Sequence, residues 1–109
     1  MRVVAVSDEG LEKLLQESPL FAIAFVSRVS IPCDHFLPEY SAMPEILGNR
    51  LAFFKIDHDE NPTISDELGI TAVPTLLIFK AGLVLARYEG PYSREALKER
   101  LLQVLSPKA

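Results

Sequence analysis

The sequence predicts an α/β fold in which a mixed β-sheet carries helices on both faces. Helical and strand patterns alternate over most of the chain, which is typical of parallel strands joined by helical crossovers. Near the end, two strand patterns at Thr75–Lys80 and Leu83–Glu89 are separated only by Ala81-Gly82, which favours an antiparallel hairpin. The predicted element order is therefore βαβαβαββα.

Length and charge limit the possible functions. The chain has 109 residues, which is enough for one hydrophobic core, so we expect a single domain over residues 1–109. The net charge of -4 argues against a nucleic-acid partner, because no excess of Lys and Arg is present to neutralise phosphates. No apolar run approaches the ~20 residues of a membrane-spanning helix. The first apolar run is short and is followed by acids, so we expect no membrane contact and a cytoplasmic location.

The first three elements are predicted by the spacing of apolar residues and by the residues that start and end a helix. Residues 3–6 form a short β-branched run, and Ser7 followed by two acids is typical of a helix N-cap. The helix should end before Pro19, because the residue before a proline avoids helical geometry. The continuously apolar Leu20–Val26 predicts a central strand that is covered on both faces. The helix itself is indicated by apolar residues at i, i+3 and i+4: Leu11, Leu14 and Leu15.

A long second helix is predicted from Pro32 onward. Gly48-Asn49 marks its end. Pro38 and Pro44 lie inside the pattern and each removes a helical hydrogen bond, so we expect a kink at one or an early end at the other. The apolar positions that define this helix are Phe36, Tyr40, Met43 and Leu47.

The second half begins with a third strand at 51–56 and an acidic loop at 57–62. A small helix carrying Ile64 and Leu68 should end at Gly69, ahead of the hairpin. Ser93 should cap a final amphipathic helix. Its apolar face consists of Leu97, Leu101 and Leu105.

The junction Arg28-Val29-Ser30-Ile31-Pro32-Cys33 is the strongest candidate site, because an apolar strand ends there and a helix begins. Unpaired N–H groups at a helix start stabilise a nearby thiolate or anion. Together with Val73-Pro74-Thr75, Phe79-Lys80-Ala81-Gly82 and Asn61-Pro62, this junction resembles the thioredoxin family over nearly the whole chain. The resemblance implies the thioredoxin fold.

The family motif is usually Trp-Cys-Gly-Pro-Cys, in which the first cysteine attacks a substrate disulfide and the second resolves the mixed disulfide. Here the same stretch is Val29-Ser30-Ile31-Pro32-Cys33, so an SxxC motif replaces CxxC. Pro32 and Cys33 match the family's proline and resolving cysteine, while Ser30 stands where the nucleophile is expected. A serine forms no disulfide, and Cys33 is the only cysteine, so the two-cysteine cycle cannot run on this sequence.

Further departures affect the proton relay. The family's buried acid falls at Ala24, whereas its partner lysine matches Lys55. Without that acid, Lys55 must reach either solvent or another carboxylate, such as Asp57 or Asp59.

The substrate-binding side is retained. The resemblance implies a cis Val73–Pro74 bond that faces Cys33, and a backbone before the proline that pairs with an extended substrate peptide. The implied substrate-binding residues are Val29, Ile31, Pro32, Val73, Pro74 and Gly90, with Pro91 beside them.

Several of the candidate residues also have a simpler structural interpretation. Cys33 is either a reactive thiol or a buried small hydrophobe, and the sequence leaves both open. His35 does not face Cys33 at i+2, so we expect no Cys–His pair and instead a contact with Glu39 at i+4. His58 lies among acids that more simply cap the next helix, so we expect no metal.

Three functions follow from the resemblance. In the first, Cys33 exchanges with glutathione or with a thiol or disulfide of a partner protein. In the second, the chain is a peptide-binding adaptor or chaperone-like module that uses the cis-proline groove without turnover. In the third, residue 30 is an engineered Cys-to-Ser change in an ordinary disulfide reductase. Monothiol glutaredoxins keep the first cysteine rather than the second, so no cofactor is implied. We expect a monomer.

Overall fold

The structure is a computed structural model that describes residues 2–106. The elements follow the predicted order, except that the second helix is divided. They are β1 (Val4–Val6), α1 (Asp8–Glu17), β2 (Leu20–Val26), α2 (Ile31–Ser41), α3 (Met43–Leu47), a 3-10 turn (Gly48–Arg50), β3 (Ala52–Asp57), α4 (Pro62–Glu67), β4 (Thr75–Lys80), β5 (Leu83–Glu89) and α5 (Arg94–Leu105).

The five strands form one mixed sheet in the order β1-β3-β2-β4-β5. β1 and β2 each pair with β3 in parallel, while β4 pairs antiparallel with both β2 and β5. The predicted hairpin and the predicted mixed sheet are therefore confirmed. Because three parallel strands end at the same edge, the segments that follow β1, β2 and β3 are brought together there.

Helices cover both faces of the sheet, as the sequence predicts. Alternate residues of β2 enter opposite cores, since successive side chains of a strand point to opposite faces. One core receives Ala22 and Ala24 of β2 and the apolar sides of α2 and α5. The other receives Phe21 and Ile23 of β2, together with residues of α1 and α4. The junction that holds Cys33 belongs to the first core.

The predicted long helix ends early, and Pro44 gives the reason. A proline at 44 has no N–H to donate to Tyr40, so α2 ends at Ser41 and the N–H of Ala42 turns back to Glu39 at 3.3 Å. The chain then restarts as α3 with Pro44 in its first turn, where a missing N–H costs nothing. Pro38 lies inside α2, so the helix continues past this proline.

The predicted caps of the first and last helices are confirmed. The Oγ of Ser7 accepts a hydrogen bond from the N–H of Gly10 at 3.4 Å, and the Oγ of Ser93 accepts one from Ala96 at 3.2 Å. The small helix is shorter than predicted, because Leu68 is its C-cap rather than a helical residue. Within residues 2–106, no helix has the length and apolar character needed to cross a membrane.

Candidate functional site

Ser30 lies at the start of α2 and caps it. Its backbone is extended, with φ -101° and ψ 120°, and its Oγ accepts a hydrogen bond from the N–H of Cys33 at 3.2 Å. Serine is among the preferred N-cap residues, because a short hydroxyl satisfies one of the free N–H groups of the first turn. The sequence interpretation treated Ser30 only as the position of a missing nucleophile and overlooked this cap. The signal was present as Ser30 followed by Pro32 in the first helical turn.

Cys33 is completely buried. Its exposed fraction is 0%, and it lies in the core between the sheet and α2. Its Sγ accepts a hydrogen bond from the N–H of Ser27 at 3.4 Å. The thiol is free, since the chain contains no second cysteine. Another molecule can reach this sulfur only if the first turn of α2 or its surroundings move.

Ser27 links the two loops beside the site, and the sequence interpretation missed it. Its Oγ donates to Oδ2 of Asp59 at 2.5 Å and accepts from the N–H of Val29 at 3.3 Å. The N–H of His58 donates to the carbonyl of Val26 at 2.8 Å. These contacts fix the segment after β2 against the segment after β3. A buried hydroxyl directly after an apolar strand was the available signal.

The acidic loop is organised by hydrogen bonds within itself. Oδ1 of Asp57 accepts from the N–H groups of Asp59 and Glu60 at 2.9 and 3.0 Å. Arg28 lies 3.5 Å from Asp57 and 3.8 Å from Glu60, but it is 80% exposed, so water screens these pairs. Among the described side chains, no three His, Cys, Asp or Glu groups converge on a common point as metal ligands would.

The expected contact of His35 with Glu39 is not formed, and of the two alternatives for Lys55 the ion pair with a carboxylate is not formed either. Glu39 pairs with Arg94 at 2.9 Å rather than with His35, so the expected His35–Glu39 contact is wrong. Arg94, in the first turn of α5, reaches α2 because the two helices lie on the same face of the sheet. Lys55 makes no ion pair with any residue of the described range, since Asp57 contacts Arg28 and Asp59 contacts Ser27.

Three of the residues expected to form the apolar rim are exposed at the start of α2. Val29 is 89% exposed and Ile31 is 69% exposed, and Pro32 is exposed beside them. Such large exposed apolar side chains on one turn are typical of a binding surface. Val73 is half-buried and contacts the core that contains Cys33.

The loop before β4 holds other residues that were expected to form the rim, and Pro74 among them is buried. The Val73–Pro74 peptide bond is cis, as the resemblance implies. The N–H of Gly90 donates to the carbonyl of Pro74 at 2.9 Å, which brings the segment after β5 to this loop. Gly90 has φ +100°, a conformation that residues with a Cβ rarely adopt. That Pro74 faces Cys33 stays a prediction.

Arg87 of β5 holds the segment that directly follows α4. Its guanidinium donates to the carbonyls of Leu68 and Gly69 at 3.2 and 2.8 Å and pairs with Glu89. The carbonyls at the end of α4 have no helical partner, so Arg87 satisfies them and fixes where the loop begins. The sequence interpretation did not single out Arg87, because a charged residue on an edge strand is usually solvated.

Comparison with known proteins agrees with this geometry. The thioredoxin family model matches residues 2–103. The chain is 30% identical over 99 residues to thioredoxin from Bacillus subtilis (strain 168), and the alignment covers 91% of this chain and 94% of that protein. It is 29% identical over 106 residues to "Putative protein disulfide-isomerase C1F5.02" from Schizosaccharomyces pombe, covering 96% of this chain but only 22% of that much longer protein.

A solved structure of chloroplastic thioredoxin z matches with a TM-score of 0.84 at 30% identity, covering 95% of each chain. The fold and the family match place the chain in the thiol-disulfide oxidoreductase class. The chain belongs to the thioredoxin family.

Proposed function

We propose that this protein binds an extended, cysteine-containing segment of a partner across Val29, Ile31, Val73 and Gly90, without dithiol turnover. The observation that carries the proposal is the pair of exposed apolar side chains, Val29 and Ile31, on the turn that leads into α2. An apolar side chain of the partner would cover them, removing from water a surface that the chain leaves open.

The backbone of Val73 supports the binding of an extended strand. Val73 precedes β4, and within residues 2–106 its N–H and C=O form no backbone hydrogen bond. A peptide lying along this residue would supply both partners, as in β-strand addition. Such binding needs no side-chain chemistry and therefore tolerates Ser30.

Single-thiol exchange through Cys33 is a second candidate, supported by its position in the first turn of α2. In that step the thiolate of Cys33 attacks a disulfide of the partner or of glutathione, one new S–S bond forms, and one thiolate leaves. The mixed disulfide would then need an external thiol, because Ser30 supplies none. The burial of Cys33 favours binding over exchange as the main activity.

The test uses the S-carboxymethylated insulin B chain, an extended polypeptide whose cysteines are blocked. In NMR titrations it should shift the amides of Val29, Ile31, Val73 and Gly90. Ile31→Asp should weaken binding about tenfold, because a charge replaces buried apolar contact. Leu83→Asp is the matched control, since Leu83 is 73% exposed on β5 and lies six residues before Glu89, about 20 Å along the strand.

The outcomes separate the two candidates. Retained binding by Cys33→Ala supports peptide binding, while a mixed disulfide formed by the unmodified chain with oxidised glutathione, detected by mass spectrometry, supports exchange. If the peptide binds Ile31→Asp and Leu83→Asp with equal affinity, it does not use this surface.

A further inference from the structure

Ser27 lies between the turn that carries Val29 and the buried thiol, and all of its polar groups are used there. Its N–H donates to Sγ of Cys33 at 3.4 Å, and its carbonyl accepts from the N–H of Ser30 at 3.4 Å. Its hydroxyl accepts from the N–H of Val29 at 3.3 Å and donates to Oδ2 of Asp59 at 2.5 Å. One buried serine therefore contacts both the peptide-binding turn and the sulfur.

The hydroxyl and the carbonyl of Ser27 shape that turn. Serine is favoured at the first position of a β-turn, because its hydroxyl accepts a hydrogen bond from the backbone that follows. Here the turn runs from Ser27 to Ser30, and Val29 at its third position is 89% exposed. The direction in which Val29 faces solvent therefore depends on contacts that Ser27 makes.

Asp59 anchors Ser27 from outside the turn, since it comes from the loop after β3. A hydrogen bond to a carboxylate is stronger than one between neutral groups. Ser27 is only 5% exposed, so water does not readily replace this acceptor. Among residues 2–106, no Lys or Arg pairs with Asp59, which leaves its carboxylate available to Ser27. Without Asp59, the orientation of the hydroxyl toward the N–H of Val29 would no longer be fixed.

We propose that Ser27 is a positioning residue: anchored by Asp59, it holds the Val29 turn in the shape that binds the partner and keeps the sulfur of Cys33 covered. When the turn opens, the N–H of Ser27 moves away from Sγ, so the binding surface is lost and the thiol is uncovered in one event. The part that concerns the partner rests on the proposed function, whereas the part that concerns Cys33 does not.

The test measures labelling of Cys33 by 5,5′-dithiobis(2-nitrobenzoate) without denaturant. Ser27→Ala and Asp59→Ala should each accelerate labelling about tenfold, because local opening becomes easier when a charge-assisted hydrogen bond is lost. Adding Asp59→Ala to Ser27→Ala should give no further increase, since both remove the same contact. Glu60→Ala is the matched control: it removes an acid from the same loop whose carboxylate lies near Arg28 instead, and it should label at the unmodified rate.

Two further variants separate positioning from a loss of overall stability. Asp59→Asn keeps an oxygen that accepts from Ser27 and should label within about threefold of the unmodified chain, since a neutral hydrogen bond has roughly half the strength of a charged one. Ser93→Ala removes a cap from α5, far along the chain, and should leave labelling unchanged. Circular dichroism checks that each variant folds.

The peptide gives the second readout. Ser27→Ala should bind the S-carboxymethylated insulin B chain about threefold more weakly, because the partner must then order the turn. Unchanged labelling in Ser27→Ala or Asp59→Ala, or an equal acceleration in Glu60→Ala or Ser93→Ala, would overturn the proposal. Equal peptide affinity of Ser27→Ala and the unmodified chain would overturn its part on Val29. If the unmodified chain binds no peptide while Ser27→Ala still accelerates labelling, the proposed function fails and the positioning of Cys33 stands.

Discussion

The hydroxyl of Ser30 accepts the backbone N–H of Cys33, so the residue at the family's nucleophile position stabilises the helix that buries the remaining thiol. A hydroxyl at this position caps the helix but supplies no sulfur for disulfide exchange. The substitution that removes the dithiol cycle is therefore compatible with the local fold. Stability and redox chemistry can be tested separately at this one residue.

Replacing Ser30 with Ala should destabilise the protein by about 1 kcal/mol, because the N–H of Cys33 loses its cap. Ser30→Asp should restore most of the loss, since a carboxylate caps equally well and also interacts favourably with the helix N-terminus. Urea unfolding followed by circular dichroism measures both variants. If Ser30→Ala matches the unmodified chain while Ser7→Ala shows the usual loss of a cap, the Ser30 cap has no energetic role.

Cys33 should react slowly with a thiol reagent in the folded protein, because its sulfur has no exposed surface. Labelling by 5,5′-dithiobis(2-nitrobenzoate) should be fast in concentrated urea and should accelerate in Ser30→Ala, in which the first turn of α2 opens more easily. Absorbance of the released thiolate gives the rate. Labelling of the native chain as fast as that of the unfolded chain would contradict the buried position.

How far the sequence predicts this structure depends on whether the signal is local. Leu20–Val26, Thr75–Lys80 and Leu83–Glu89 were predicted with their observed bounds, because apolar runs and a two-residue link define them. The break between α2 and α3 was predicted as one of two outcomes, since Pro38 and Pro44 carry similar local signals and only the fold selects between them.

Apart from the Ser30 cap, which spans three residues, the contacts that were missed are long-range. Ser27 meets Asp59 and Arg94 meets Glu39 only because parallel strands and two helices bring distant segments together. The spacing of His35 and Glu39 made a local contact between them a reasonable expectation. In the structure, the guanidinium of Arg94 pairs with Glu39 instead. Likewise, Ala5 and Ala24 lie on either side of Lys55 only because β1 and β2 both pair with β3.

Stability should fall as the pH rises above the ordinary tyrosine range. Burial raises the pKa of Tyr40 well above its usual value of 10.0, and its hydroxyl donates to the carbonyl of Phe54 at 2.7 Å. Between the two pKa values the folded state holds a proton that the unfolded chain releases, so unfolding becomes easier with increasing pH. The stabilisation is fully present below the unfolded pKa.

Tyr40→Phe tests this dependence. At neutral pH the variant should lose about 1 kcal/mol, because the hydrogen bond to Phe54 is removed. Its further loss between about pH 9 and pH 11 should be smaller than that of the unmodified chain, since one titrating group is gone. Burial also raises the pKa of Tyr88, so Tyr88→Phe is the comparison, with a weaker effect because Tyr88 is less buried. An unchanged pH slope in Tyr40→Phe would contradict the assignment.

The chain as it stands should show no more than trace reduction of insulin disulfides with dithiothreitol as the donor, because Ser30 cannot form the mixed disulfide that Cys33 would resolve. Turbidity of the precipitating insulin chains measures the rate. Robust turnover at micromolar protein would show that Cys33 completes the cycle with an external thiol.

Ser30→Cys decides whether the rest of the reductase is intact. The new thiol would lie at the helix N-terminus three residues before Cys33, and the two should form an intramolecular disulfide, visible as loss of free thiol under mild oxidation. Reduction of insulin should then appear but remain slower than for a standard thioredoxin, because Ala24 supplies no carboxylate to accept the proton of a buried Cys33. The double variant Ser30→Cys, Ala24→Asp should increase the rate further if the proton relay is the missing part. A single variant already as fast as thioredoxin would show instead that residue 30 alone separates this chain from a working reductase.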